Sequence, residues 1–289
     1  MNKIIILIPV YNDWDSLKKL LIEINQNIKG LSEFTFDCFV VNDASTANQP
    51  LLNKPSQINS LKILNMEKNR GHARCNAFGV RYIYQNEKFK YLILMDGDGE
   101  DRPEELKKLI HQVLKEPNNS VVAKRVKRSE GLFFRFLYFM HKLITLVFTG
   151  KNINFGNYSC LTKNDIQTII SKSSLWSSYS GTIKKYIKNY SEIESIRGIR
   201  YHGPSKMSLY KLLIHSFSII AVFKMQVLMR SVLFLFGLIC INNYFSVNTI
   251  FLKIIILLFC TIIFLVSSRE KKTDLLNSQE NLKSVDEIS

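Results

Sequence analysis

An α/β domain on a mainly parallel sheet, followed by interfacial helices and a two-helix transmembrane hairpin, is the architecture that the 289-residue sequence predicts. Three observations predict it. Short unbroken apolar runs alternate with segments of helical spacing over residues 1 to about 205. Strands covered on both faces read as such runs, and regular strand–helix alternation favours parallel pairing. Apolar side chains then dominate residues 225–267, enough for two spans of about 20 residues each. Residues 268–289 are polar and of mixed charge, with no glycine or proline.

In chain order, IIILIPV (4–10) is the first strand. Pro9 and the polar YNDWD end this run too early for a signal peptide, and no small-residue cleavage site follows. Residues 16–28 set Leu17, Leu20, Leu21, Ile24 and Ile28 on one helical face. FTFDCFVV (34–41) and LKILNM (61–66) are the second and third strands, and residues 73–84 are helical. YLILMD (91–96) is the fourth strand. Residues 103–114 are a helix opened by Pro103, which costs no hydrogen bond in a first turn. SVVAKR (120–125) is the fifth strand. In such a sheet, ligands bind beyond the carboxyl ends of the strands.

The spans are predicted at about 225–247 and 250–267, joined by the short uncharged linker INNYFSVN. Two buried core helices are the alternative, and the lack of any polar face argues against it. Lys224 and Arg230 flank the pair on one side, and Arg269, Lys271 and Lys272 on the other. The positive-inside rule places both outer ends in the cytoplasm, giving a multi-pass protein of the cytoplasmic membrane. Residues 131–148 and 208–224 mix Arg135, His141, Lys142, Lys211 and His215 with aromatic and aliphatic side chains. Basic helices of this kind lie on anionic lipid. The expected division is an α/β domain at 1–206, a juxtamembrane amphipathic helix at 207–224, the hairpin at 225–267, and a solvated, partly helical cytoplasmic tail at 268–289.

The net charge of +15 calls for an anionic partner. Nothing resembles a nucleic-acid module, so no nucleic acid is expected and membrane lipid phosphate is favoured. The five cysteines are scattered and odd in number, without a C-x-x-C pair. That argues against disulfides or zinc and for a reducing compartment.

The central chemical signal is LMDGDGEDRPEEL (94–106). Asp96 and Asp98 close a buried strand two residues apart, and carboxylates so placed can hold a hard divalent cation. Bare D-x-D is common in acidic turns, but here it precedes a proline-started helix. IPVYND (8–13) ends the first strand. Tyr11 could stack on a base, and Asp13 could accept from base or ribose or simply cap a turn. In VVNDAS (40–45), Asp43 could do the same or form an Asx-turn. In NRGHARCNAFG (69–79), Gly71 before a helix suits phosphate at the helix N-terminus. His72 reads as structural rather than catalytic.

The ordered set IPVYN, NDAS, NRGHARCNAFG and DGDGEDRPEE strongly resembles the family 2 glycosyltransferases, of GT-A fold, over about residues 3–206. Within them the chain is similar to the polyprenyl-phosphate glycosyltransferases, such as dolichol-phosphate mannose synthase. The supporting features are the acid, Asp and Pro-Glu after D-x-D, Arg125, R-x-x-G-x-S-K from Arg200 to Lys206, and the C-terminal hairpin. The resemblance implies that Asp96 and Asp98 coordinate Mg2+ or Mn2+ and the donor diphosphate, with Glu100 nearby. Pro9, Tyr11, Asp13 and Asp43 would line the nucleoside site of a nucleotide-sugar donor, with Asn69 and Gly71 beside it. Arg125 and Arg128 would meet the acceptor phosphate, and Arg200 and Lys206 would clamp it. KRVKR (124–128) also reads as a solvated basic face.

The implied reaction is inverting, metal-dependent transfer of a sugar to a polyprenyl phosphate at the cytoplasmic membrane face. A phosphate acceptor needs no strong base, whereas a hydroxyl acceptor would look to Asp101 or Glu100. The alternatives are a family 2 transferase acting on another lipid-linked or cell-surface glycan, and an inactive membrane-bound scaffold. The chain departs from the subgroup at Asn42, at Glu100 and in FGNYSCLTK (155–163), where Asn157 stands near an acid's usual place and no Arg follows. The hairpin could mediate homo-oligomer assembly, although no interface motif is evident.

Overall fold

The computed structural model describes residues 2–127, 132–204 and 208–289. It begins with β1 (Asn2–Val10), α1 (Trp14–Ile28), β2 (Phe34–Asn42), β3 (Ser60–Met66), α2 (His72–Asn86) and β4 (Tyr91–Leu94). β1 is covered on both faces, as its unbroken apolar run requires. Ile4, Ile6, Ile8 and Val10 pack with Leu17, Leu20 and Ile24 of α1. Ile5 and Leu7 face the other way, against Phe78, Val80 and Ile83 of α2. The period of two along a strand produces this split.

A 3-10 turn at Pro103–Glu105 leads into α3 (Leu106–Lys115), followed by β5 (Ser120–Lys127), α4 (Leu132–Thr149), β6 (Phe155–Thr162), α5 (Lys163–Ile169), α6 (Tyr179–Tyr186) and β7 (Tyr190–Ile196). The sheet has eight strands in the order β7-β5-β6-β4-β1-β2-β3-β8. β1 pairs parallel with β2 and β4, β2 with β3, and β5 with β7. β6 runs antiparallel between β4 and β5. The sheet is therefore mainly parallel, as expected, but β6 and β7 were not predicted as strands. FGNYSCLT contains Gly156, Asn157 and Ser159, and its partners lie far away in the chain. Two boundaries also move. β4 ends at Leu94, so Asp96 sits two residues beyond the strand, and β5 runs on past Arg125 to Lys127.

The remaining helices are α7 (Leu209–Ala221), α8 (Lys224–Phe245), α9 (Ile250–Ser267) and α10 (Lys272–Leu276). α8 and α9 are long and apolar enough to cross a membrane, and only 11% of the most apolar stretch of each is buried. That exposure is unlike the core helices of a soluble domain, so the two form the apolar hairpin of a membrane protein. Phe148 of α4 packs against Phe234 of α8 and Phe259 of α9, with ring centroids 5.5 and 4.4 Å apart.

The C-terminal segment corrects the expectation of a solvated tail. After α9 the chain forms α10, a 3-10 turn at Ser278–Asn281, and β8 (Leu282–Ile288). β8 pairs antiparallel with β3 from Leu61↔Ile288 to Met66↔Leu282. Leu275 is fully buried, and Arg81 of α2 donates to the carbonyls of Ile170 and Leu276. LKSVDEI carries its charges because it is an edge strand, where they discourage pairing with other chains.

Candidate active site

The carboxyl ends of β1, β2 and β4 meet around the loop at residues 96–101. This loop folds on itself. The buried Asp101 carboxylate accepts the Asp96 N–H at 3.0 Å, and Asp98 accepts the Glu100 N–H at 3.1 Å. Gly99 has φ +86°, and any Cβ there would lie 2.4 Å from the Tyr201 ring. Its left-handed conformation and this close approach both require glycine.

Cationic and amide groups surround the acids. His72 Nε2 is 3.3 Å from Asp96, and the Asn157 amide lies within hydrogen-bond distance of both, 2.7 Å from the ring and 3.2 Å from the carboxylate. Arg125 is 3.4 Å from Asp101. Arg200 binds Asp98 at 2.8 Å and also pairs with Asp13, bridging the ends of β4 and β1. Glu100 pairs with Arg197. The segment bearing Arg197 and Arg200 crosses the loop, with Gly198 N–H donating to the Glu100 carbonyl and Tyr201 N–H to that of Asp98. Tyr201 is anchored beyond by Glu23 of α1.

These contacts pull the carboxyl groups apart electrostatically. Burial raises Asp96, but His72, Arg125 and the Asn157 amide outweigh it and hold Asp96 well below the usual carboxylate range. Burial, then Asp96 and Glu100, push Asp98 up to about 6 despite Arg200. Burial and Asp96 push Asp101 up to about 7. Burial lowers His72, but Asp96, Asp98 and Asp101 win, so its net shift is upward. The site thus holds more negative charge than its own cations neutralise, the environment in which a divalent cation gains most.

Around the ends of β1 and β2 the motif residues make structural contacts. Tyr11 is 40% exposed and free to stack. Asp43 is buried, and its two carboxylate oxygens accept the N–H groups of Arg70 and Gly71 at 2.8 and 2.9 Å. Asn69 donates to the Asp43 carbonyl at 3.0 Å. Together they clamp the turn before α2, with Gly71 at φ +87° at its N-cap. The Pro9 carbonyl packs against Gly97, where a Cβ would lie 2.9 Å away.

The structure therefore brings together Asp13, Asp43, Asp96, Asp98, Arg125 and Arg200. Glu100 is turned to Arg197. Among the described residues, no group of three His, Cys, Asp or Glu side chains converges as a metal cage. Arg128 and Lys206 lie outside the described residues. No motif in the sequence marks Arg197 or Tyr201, His72 reads there as structural, and Asn157 stands there as a departure from the subgroup. Asn157 sits on an unpredicted strand, so no strand-end signal marked it. His215 of α7 is also close electrostatically. Burial and then the charge at His72 push it down to about 4, with Asp96 opposing.

Comparison with known proteins identifies the family and the fold. An undecaprenyl-phosphate 4-deoxy-4-formamido-L-arabinose transferase of Proteus mirabilis (strain HI4320) is 25% identical over 218 residues, covering 74% of this chain and 65% of that protein. The protein of the same description from Yersinia pestis (strain Pestoides F) is 27% identical over 164 residues, covering 56% of this chain and 48% of its own. The chain thus spans about half to two thirds of the length of these curated relatives. Among solved structures, glucosyl-3-phosphoglycerate synthase from Mycobacterium tuberculosis, in complex with Mn2+, UDP-glucose and phosphoglyceric acid, superposes with a TM-score of 0.54. It is 12% identical and covers 78% of this chain and 80% of its own, a likeness of fold. The sequence model described as glycosyl transferase family 2 matches residues 5–178, more than half of the chain, and to that family this chain belongs.

Proposed function

We propose that the protein transfers a sugar from a nucleotide-sugar donor to a polyprenyl phosphate, or a closely related lipid-linked phosphate, at the cytoplasmic face of a membrane. One observation carries the reading. Asp96 and Asp98 stand just beyond the end of β4 between Arg125 and Arg200, in a domain whose chain continues through α7 into two exposed apolar helices. The relatives described as undecaprenyl-phosphate transferases support the acceptor class.

Asp96 and Asp98 fit a magnesium or manganese ion bound jointly with diphosphate, because Mg2+ is commonly held by one or two carboxylates plus substrate phosphates. The guanidinium of Arg200 already sits as a cation on Asp98. When bound, the metal would offset the charge that develops on the leaving diphosphate. His72 and Asn157 keep Asp96 ionised and oriented. Asp43 fixes the α2 N-terminus for donor phosphates, and Tyr11 offers its exposed ring to the base. Arg125 and Arg200 suit the acceptor phosphate, since guanidinium matches phosphate oxygens in a fork. A phosphate monoester has its second pKa near about 6, so it can attack the anomeric carbon without a strong base. Direct displacement with inversion follows.

The test is transfer of label from radioactive nucleotide sugars to undecaprenyl phosphate, using full-length protein in detergent with Mg2+ or Mn2+. Label in the organic phase that vanishes with chelator supports the reading. Donor binding without transfer to lipid phosphate would refute the acceptor and point to a lipid-linked glycan instead.

A further inference from the structure

A cleft of about 640 Å³ opens where the end of α6, the start of β7 and the α4–β6 connection meet. Lys151, Lys184, Lys185 and Lys188 line it, against Glu116 and Glu192. The acids do not balance these lysines. Glu192 pairs with Lys124 at 3.4 Å, and Glu116, which accepts from the neutral Gln112, Asn119 and Ser191, offsets one of the four charges. Among the described residues, Lys184 donates to the neutral Tyr190 hydroxyl at 2.7 Å, and Lys185 donates to the Val222 carbonyl at 2.6 Å, with Glu270, itself paired with Lys224, near enough to attract it. Lys151 and Lys188 are exposed. The cleft therefore presents a concentrated positive charge with donors to spare.

Its position says what that charge meets. Val222 lies two residues before α8 begins. On the other wall, Arg230 in the second turn of α8 donates to the Val147 carbonyl at 2.9 Å and covers Gly150, the neighbour of Lys151. The two walls are thus fastened at Val222, just before α8, and at Arg230 in its second turn, roughly 12 Å apart along the chain at 1.5 Å per residue. The polar headgroup layer on one side of a bilayer is of comparable depth, roughly 5–8 Å. The preceding face of α4 exposes Phe136, Phe139, Leu143 and Leu146, an apolar stripe suited to the acyl boundary. The cleft is also separate from the acidic site. Tyr190 pairs with Ser120 at the start of β5, whereas Arg125 lies five residues along that strand, roughly 17 Å away at 3.4 Å per residue.

We propose that this cleft binds the headgroup phosphate of an anionic phospholipid, apart from the acceptor. The inference rests on the reading that α8 and α9 span a membrane. It locks the orientation of the catalytic domain on the bilayer through Lys151, Lys184 and Lys188. A lysine near an anionic surface contributes about 1 kcal/mol, so losing two should weaken binding roughly thirtyfold at 1.4 kcal/mol per decade.

The experiment titrates full-length protein in neutral detergent with short-chain phosphatidylglycerol, short-chain phosphatidylcholine and inorganic phosphate. It compares the wild type with the Lys151→Gln/Lys188→Gln variant, whose altered side chains are exposed and leave the fold intact. Saturable phosphatidylglycerol binding, weakened roughly thirtyfold in the variant and absent with phosphatidylcholine, supports the proposal. Unchanged affinity in the variant, or equal affinity for the two lipids, overturns it. Inorganic phosphate binding as tightly as phosphatidylglycerol would assign the cleft to a soluble phosphate ligand and overturn the lipid. Carbonate extraction of the membranes separates the two levels. Protein stripped by carbonate refutes the spanning reading, whereas protein retained without lipid preference refutes this site alone.

Discussion

At the scale of single residues, the site is a set of opposed charges whose balance sets its chemistry. Asp98 and Asp101 hold protons to about 6 and 7 in the fold, against about 3.9 for an unperturbed Asp. Between those values the folded protein binds more protons than the unfolded chain, so their contribution to stability falls as pH rises through that window. The metal-free protein should therefore lose thermal stability between pH 5 and pH 8, and the loss should shrink in Asp98→Asn/Asp101→Asn. Melting curves at both pH values check this, and an unchanged slope in the double variant would remove these carboxyls as its source. Arg200 offers a second test. It neutralises Asp98 and Asp13 in this structure, so Arg200→Gln should tighten Mn2+ binding. The same change should lower turnover by about 10²–10³, as loss of one preorganised charge-stabilising donor does. Calorimetry and the transfer assay read the two effects separately. Turnover that rises with metal affinity would make Arg200 merely a competitor for the site.

At the scale of elements, the packing of α2 on β1 and β2 places the Asp43–Gly71 clamp. Gly79 is the contact point. A Cβ there would lie 2.6 Å from Leu7 and 2.9 Å from Val41, so Gly79→Ala should cost about 1–3 kcal/mol by overpacking. Gly71 has open space around it but φ +87°, so Gly71→Ala should cost about 1–2 kcal/mol through backbone strain alone while disturbing the turn that Asp43 clamps. Denaturant unfolding and nucleotide-sugar titration together distinguish the pair. Gly79→Ala should lower stability with donor affinity nearly kept, and Gly71→Ala should weaken both. These glycines were legible as a motif, but their separate reasons were not. A spacing pattern cannot tell a steric contact with a distant strand from a left-handed turn.

At the scale of the whole molecule, β8 changes the meaning of the hairpin. A strand that follows α9 lies in the same sheet as the strands that precede α8. If the hairpin crosses the bilayer, both outer ends must then lie on the side of the catalytic domain. In a cysteine-free background, Val247→Cys should react with an impermeant maleimide on intact cells, and Lys283→Cys only after permeabilisation. Labelling of both from outside would refute that topology. Deleting residues 282–289 should leave β3 as an open edge, and the truncated protein should aggregate on size exclusion.

The sequence by itself determined the alternation of buried strands and helices, the apolar hairpin, and the strand-end positions of Tyr11, Asp13, Asp43, Asp96 and Asp98. These are local signals. Apolar periodicity, turn chemistry and motif spacing are written within windows of about ten to twenty residues. Only the tertiary structure decided that β6 runs antiparallel between β4 and β5, and that Asn157 and His72 meet at Asp96. It alone revealed that Arg197 and Arg200 fold over the acidic loop and that a charged C-terminal segment closes the sheet. Each depends on partners apart in the chain, from 24 residues for His72 and Asp96 to 227 for Leu61 and Ile288. Pairings of that kind are chosen by the shape and charge of the assembled sheet, and a local pattern carries no record of them.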